Sequence, residues 1–281
     1  MDKRIKKLFS PGFILIMSKL KKYFQIIKII FLIRLGADVS FRFSFLATIL
    51  GSFCFISLYI AVIKLLMQNV IIPGWGINEM WLLLGLFIIF CYATFFLFWR
   101  GLWFLPEHIR NGQLDFYLTK PIDSQFIVSV AGGGTHNFLA MLFGLLFTVW
   151  SIFNLNLQLE TWQILLSGFA LLVSILDFYS IAFFFGCLNF KMGYLGDASY
   201  RVFDFQAFSR YPTEVFKNLP IAAFVIVMPF SLVTTIPTQI LLGHNLTFTS
   251  FSVFILVSFL VICFSRWFWF HSIRNYTSAS S

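Results

Sequence analysis

The side chains able to do chemistry are few and scattered. The histidines are His108, His136, His244 and His271, and the cysteines are Cys54, Cys91, Cys187 and Cys263. A zinc site would bring such residues together at short spacings such as HExxH or CxxC, and neither pattern occurs. No GxSxG turn is present to expose a serine nucleophile. No GxxxxGK[ST] loop is present either, so the chain does not bind ATP through a P-loop. Gly132, Gly133 and Gly134 lack the Lys and Ser/Thr pair of a phosphate cradle and suit helix flexibility or close helix packing instead. We therefore assign no catalytic residue, no metal and no cofactor to this chain. The cysteines each sit in or beside an apolar run and read as small buried hydrophobes.

One carboxylate stands apart. Asp177 interrupts the apolar run 161–189, with Tyr179 and Ser180 just after it. A carboxylate in mid-bilayer costs about 2.5–3.5 kcal/mol on insertion scales, so it must face protein or water. Two readings stay open. Asp177, Tyr179 and Ser180 line a polar path or an ion-paired helix contact, or Asp177 is a neutral, hydrogen-bonded packing residue. Lys64, near the end of another run, is placed to snorkel.

The elements that must hold these residues follow from composition. Of 281 residues 59% are hydrophobic and 11% charged, against about 25% charged in an ordinary soluble domain. A water-soluble fold lacks the polar surface to cover so much apolar side chain; a bilayer removes that demand. A helix crosses the hydrocarbon in about 20 apolar residues. Runs of that kind predict an all-α integral membrane protein, a single domain over 1–281. Its six transmembrane helices fall near 43–66, 79–100, 126–152, 162–188, 219–241 and 249–269. The net charge of +9 would suggest nucleic acid in a soluble chain, but its placement points to a membrane and to no nucleic-acid partner.

Basic residues favour cytoplasmic loops. With the N-terminus inside, segments 1–42, 100–123, 187–218 and 266–281 hold 10, 3, 4 and 2 Lys/Arg, while loops 67–78, 153–161 and 242–248 hold none. Both termini are thus expected in the cytoplasm. Segment 1–42 is basic, and Lys19–Arg34 within it reads as an amphipathic helix on the inner membrane face, with Tyr23, Phe24, Ile27, Ile30 and Phe31 as its apolar side. Lys3–Lys7 followed by an apolar stretch resembles a signal peptide, but no small-residue cleavage pattern follows, so we read it as retained.

The loop after the second span, residues 104–122, reads FLPEHIRNGQLDFYLTKPI. It carries more apolar side chain than a simple connection needs and predicts a short amphipathic element lying on the membrane or docking on a partner. It also carries a motif. Glu107, Ile109, Arg110, Gly112, Leu114, Asp115, Leu118, Lys120 and Pro121 match, without a gap, the pattern acidic–x–Ile–Arg–x–Gly–x–Leu–Asp–x–x–Leu–x–(Lys/Arg)–Pro of ABC-2 type permeases. A second match is Phe208, Ser209, Arg210, Tyr211 and Pro212, followed by Phe216 and by Pro229 within the fifth span. The basic helix ending near Arg34 and the Gly74-Trp75 turn fit as well. The chain thus resembles the ABC-2 type permease, the membrane subunit of an ABC exporter.

That resemblance implies a multi-pass protein of a bacterial plasma or inner membrane. It implies two partners: an ABC ATP-binding subunit, which carries the ATP and Mg, and a second permease half, identical or a sister chain. The loop becomes the coupling site, with Arg110 and Asp115 pairing with charges on the ATPase and Ile109, Leu114 and Phe116 entering a groove of it. Both motifs, 107–121 and 208–212, are expected on the cytoplasmic side within reach of the motor. The segment 237–247 is expected to dip back into the outer leaflet. Few charges and several hydroxyls in the spans lean toward export of a hydrophobic or amphiphilic substrate. An ion-coupled secondary transporter, a membrane enzyme and a non-transport assembly protein remain the competing readings. Asn245-Leu246-Thr247 fits a glycosylation sequon and lies close to the membrane, so we read it as chance.

Overall fold

The computed structural model describes residues 11–130, 134–192, 201–243 and 248–276. Among the described residues eleven α-helices follow in chain order: α1 (Pro11–Ser40), α2 (Arg42–Asn69), α3 (Ile77–Leu97), α4 (Trp99–Arg110), α5 (Leu114–Leu118), α6 (Ser124–Val130), α7 (Asn137–Asn154), α8 (Thr161–Cys187), α9 (Asn189–Met192), α10 (Ile221–Leu241) and α11 (Phe248–Arg274). Two 3-10 stretches, Arg201–Arg210 and Thr213–Phe216, lie before α10. Among the described residues there is no β-strand. Among the described residues five helical stretches are long and apolar enough to cross a membrane: Phe43–Asn69, Ile77–Leu97, Asn137–Asn154, Thr161–Lys191 and Thr249–Arg274. α10 adds a shorter apolar stretch, Ile226–Leu241.

The centre of the bundle is α3, whose residues from Met80 to Thr94 are almost all buried. Its first turn is secured by Glu79, whose carboxylate accepts a hydrogen bond from the Gly76 amide. α7 packs antiparallel against α3 at a crossing made possible by two glycines. A Cβ on Gly85 would lie 2.5 Å from Thr148 Oγ1, and one on Gly144 would lie 2.7 Å from Ile88 Cγ2. Without a hydrophobic drive between helices in lipid, such close backbone approach supplies the packing attraction.

α10 packs on α8 and contains Pro229 and Pro237. Proline has no amide hydrogen, so residue 237 cannot donate to the carbonyl of Val233 one turn earlier. Ser174 Oγ of α8 donates to that carbonyl instead, at 2.9 Å. Ser167 Oγ donates to the Pro237 carbonyl at 2.9 Å. The Ser174 hydroxyl replaces the hydrogen bond that the proline removes where no water can reach. Ser167 lies near the start of α8 and Ser174 further on, so the two bonds also fix α10 antiparallel to α8. α11 also packs on α8, through Phe184 against Phe264 and Phe183 against Trp269, and shares with α8 and α10 a buried cluster of Ala170, Ile236, Ile240 and Phe254.

Three expectations need correction. The helix expected over 126–152 is two helices, α6 and α7. Gly132 and Gly133 lie outside the described residues; Gly134 precedes α7 with Thr135 and His136 in a turn. Next, α10 runs through Pro237 to Leu241, and Gly243, at φ +67°, ends it. The expected dip at 237–247 therefore does not begin at Pro237; His244 and the sequon Asn245–Thr247 lie outside the described residues.

The third correction concerns residues 208–212. They are not a surface loop at the end of the bundle where α8 finishes. Phe203 packs on Phe95 and Trp99 at that end, Gln206 Nε2 donates to Thr94 Oγ1 at 2.6 Å, and Arg210 stacks over Tyr59 in the middle of α2. Glu214 then accepts a hydrogen bond from Trp75 Nε1, 3.0 Å, in the α2–α3 turn at the opposite end. The segment 201–214 thus threads up the inside of the bundle. Ser209 is fully buried and donates to the Phe230 carbonyl at 2.6 Å, while its own carbonyl accepts from Thr234. Gln206, Ser209 and Glu214 each find a hydrogen-bond partner there, which makes their burial tolerable, while Arg210 Nε is buried without one and its guanidinium is held by ring contacts.

Candidate functional site: the α4–α5 turn and its anchor

α3 breaks at Phe98 and the chain resumes as α4, which lies along α8 and α6. The α4–α6 contact is very close: a Cβ on Gly101 would sit 2.2 Å from the Ser129 carbonyl oxygen. Leu102, Leu105 and Ile109 form the buried stripe of α4, one turn apart. The helix ends at Arg110, and Gly112, with φ +71°, turns the chain into α5. His108 Nδ1 and Gln113 Oε1, 2.8 Å apart, close the turn from the side.

This geometry divides the motif differently from the expectation. Ile109 is 8% exposed and Leu114 is fully buried, both in the chain's own core. They cannot enter a partner's groove, because they bind the turn to the body of the bundle. Phe116 points outward and is 69% exposed. Arg110, Gln113, Thr119 and Pro121 are also exposed, and Glu107, Asp115 and Leu118 are half-buried. Lys120 Nζ lies 4.4 Å from the centre of the Phe116 ring, a cation–π contact that holds a charge beside the exposed aromatic.

Just beyond Pro121 is a cluster that the sequence did not signal. Asp123 accepts the amide of Phe126 at 2.9 Å and so caps α6. Arg266 of α11 donates through Nη1 to Asp123 Oδ1 at 2.9 Å and to Gln125 Oε1 at 2.8 Å, and through Nη2 to Asp123 Oδ2. Gln125 Nε2 donates to Tyr179 Oη at 3.1 Å, and Ser129 Oγ lies 2.7 Å from the same hydroxyl. Trp269 Nε1 donates to Ser124 Oγ at 3.1 Å. The Arg266 hydrogen bond is the main cause that holds the Asp123 carboxyl below its ordinary value. One network therefore ties the foot of the α4–α5 turn to α8 and α11.

The three intramembrane candidates separate. Tyr179 belongs to that network. Asp177, 6% exposed, faces Ser258 of α11. Ser180 turns back to the Leu176 carbonyl and borders a groove of about 320 Å³ between α8 and α11. They do not converge on one site. Among the described residues no three His, Cys, Asp or Glu side chains come together where they could hold a metal ion.

A search of curated proteins and a search of solved structures each found no match. The family described as ABC-2 family transporter protein matches residues 46–280. That stretch spans most of the chain, including the α4–α5 turn, its Asp123–Arg266 anchor and the threaded segment, so the chain belongs to the ABC-2 transporter family and is an ABC permease subunit.

Proposed function

We propose that this permease is half of an exporter whose motor is a separate ATP-binding subunit, docked at the α4–α5 turn. The observation that carries the reading is the outward Phe116, held on a rigid turn by its own buried Ile109 and Leu114, in a chain that has no P-loop of its own. A rigid lever is what a coupling element needs: movement of Phe116 is transmitted through Asp123 to Arg266 and Tyr179. Glu107, Arg110, Asp115, Leu118 and Pro121 surround it as the docking rim, with ATP and Mg held by the partner.

In this reading α2, α3, α7, α8, α10 and α11 are six membrane crossings, and α1 lies on the inner face. The turn, the start of α2 and the end of α11 share one end of the bundle. That end carries most of the Lys and Arg of the described residues, which supports reading it as the cytoplasmic side, with both termini there. α2 presents Leu46, Leu50, Phe55, Leu58 and Leu65 outward, an apolar face for lipid or for the second permease half. The hydroxyl-lined, charge-poor interior supports a hydrophobic or amphiphilic substrate. Asp177 remains the one carboxylate in the middle of a span. Asp177→Asn should lower transport at normal expression if it serves the path; unchanged transport would make it a packing residue.

The test of docking is charge reversal. Arg110→Glu should leave the chain folded and inserted but uncouple ATP hydrolysis from transport. Unaltered association with the ATPase and unaltered coupling would count against the turn as the contact.

A further inference from the structure

The threaded segment carries into the bundle a charge that no described residue neutralises. The guanidinium carbon of Arg210 lies 5.0 Å from the centre of the Tyr59 ring and 5.3 Å from the centre of the Tyr211 ring. Its Nε is buried with no hydrogen-bond partner. Among the described residues Arg210 forms no ion pair and its guanidinium donates no hydrogen bond, so two aromatic rings are what hold it. Its depth follows from α3: Phe87 packs on Tyr59 and lies halfway along Ile77–Leu97.

Arg210 is half-buried, so part of it is open at mid-span. Hydrocarbon is a poor neighbour for that open side; an intramembrane arginine faces protein or water and pairs with an acceptor. A second copy of this chain offers no carboxylate at that depth among the described residues. Asp177, the one in mid-span, is 6% exposed and faces Ser258 of α11. Glu79 and Glu214 lie at the end opposite the α4–α5 turn, bonded to the Gly76 amide and to Trp75. Lipid head groups lie half of the ~30 Å hydrocarbon thickness away. The remaining group that reaches this level is one that the permease itself brings there.

The surroundings suit an anion. Tyr59 and Tyr211 are half-buried, and neither hydroxyl bonds to another described residue, so both remain available as donors beside the guanidinium fork. Such a fork matches the oxygens of a carboxylate or phosphate two at a time. The rings are backed by others, Tyr59 by Phe87 and Tyr211 by Phe216, which keeps the cation in place. We propose that Arg210, flanked by Tyr59 and Tyr211, binds the anionic head of the transported amphiphile, so that the cargo is an acid on an apolar body and not a neutral or cationic compound. The inference rests on the reading of the chain as a permease for amphiphiles and narrows their class.

The full chain in phosphatidylcholine nanodiscs, without nucleotide, can be photolabelled with a diazirine-bearing dodecanoate and with its uncharged methyl ester at equal membrane concentration. The carboxylate should label about tenfold more than the ester, the effect of one charge-assisted hydrogen bond. Arg210→Gln should abolish that preference, and Arg210→Lys, which keeps the charge, should keep most of it. Tyr59→Phe keeps the ring contact, removes only the hydroxyl and should reduce the preference severalfold. Lys64→Gln, at the exposed lysine of α2, should leave it unchanged. Equal labelling by the two probes in wild type, or a preference that survives Arg210→Gln, would overturn the proposal. So would an equal loss in Lys64→Gln, which would mark general attraction to a basic face. Should Arg210→Gln fail to fold, Tyr59→Phe decides alone, and an undiminished preference in it overturns the proposal. None of these outcomes touches the permease reading, because labelling needs no motor; that reading falls instead if hydrolysis by the partner ATPase does not respond to this chain.

Discussion

Ser174 and Pro237 form a pair whose energetics can be worked from the structure. Pro237 deprives the Val233 carbonyl of its helical donor, and Ser174 Oγ, fully buried, supplies one at 2.9 Å. A hydrogen bond between membrane helices averages about 0.6 kcal/mol and reaches about 1.7 kcal/mol at most. This one should lie at the upper end, near 1.5 kcal/mol, because its acceptor has lost the alternative that an ordinary helix offers. Ser174→Ala should therefore lower the free energy of unfolding by about 1.5 kcal/mol, close to tenfold in the equilibrium constant. Pro237→Ala restores the missing amide. In that background Ser174→Ala should cost only about 0.5 kcal/mol, so the coupling of the pair is about 1 kcal/mol. Reversible unfolding in mixed detergent micelles, run on the four variants of the cycle, measures this directly. An equal cost of Ser174→Ala in both backgrounds would show that the serine does not replace the proline's lost donor.

Three further outcomes follow from the geometry. Gly101→Ala forces a methyl group to within 2.2 Å of the Ser129 carbonyl and should destabilise the α4–α6 contact by about 2–3 kcal/mol, seen as a lower melting temperature of the purified chain. Asp123 is held below the ordinary carboxylate value by Arg266. Its contribution to stability is thus complete above about pH 4 and fades as acid protonates it through its lowered value. Arg266 is 42% exposed, so screening limits the contribution to about 1 kcal/mol or less, and Asp123→Asn should flatten that part of the pH–stability curve. Ser209→Cys should resist a membrane-impermeant maleimide from either side, while Phe116→Cys should react from the cytoplasmic side alone; rapid labelling at 209 would contradict the threaded path of 201–214.

The apolar runs were legible because the bilayer imposes one rule on every crossing: about 20 residues without a charge. The loop over 104–122 was legible for the complementary reason, since Ile109, Leu114 and Phe116 sit among charges. What the sequence could not say was which of these apolar residues the chain keeps for itself. Ile109 and Leu114 are buried while Phe116 is not, and that choice depends on α6 and α8, which are distant in sequence. The segment 201–217 misled because its basic residues, Arg201, Arg210 and Lys217, counted toward an inner loop. Arg210 is instead stacked on Tyr59 and Tyr211, and Glu214 is bonded to Trp75. The break between α6 and α7 has no proline to announce it. Asp123 and Arg266 stand 143 residues apart, beyond any local pattern.

The central claim is that the motor is another chain and meets this one at Phe116. A photo-cross-linking amino acid placed at residue 116, in cells that express the protein from its own genomic context, tests it most directly. The account predicts a covalent adduct to a P-loop ATPase, no such adduct from a cross-linker at the buried Leu114 position, and hydrolysis by that ATPase that rises when the permease is co-reconstituted. Transport by the purified chain alone, with no nucleotide-binding protein captured at residue 116, would contradict it.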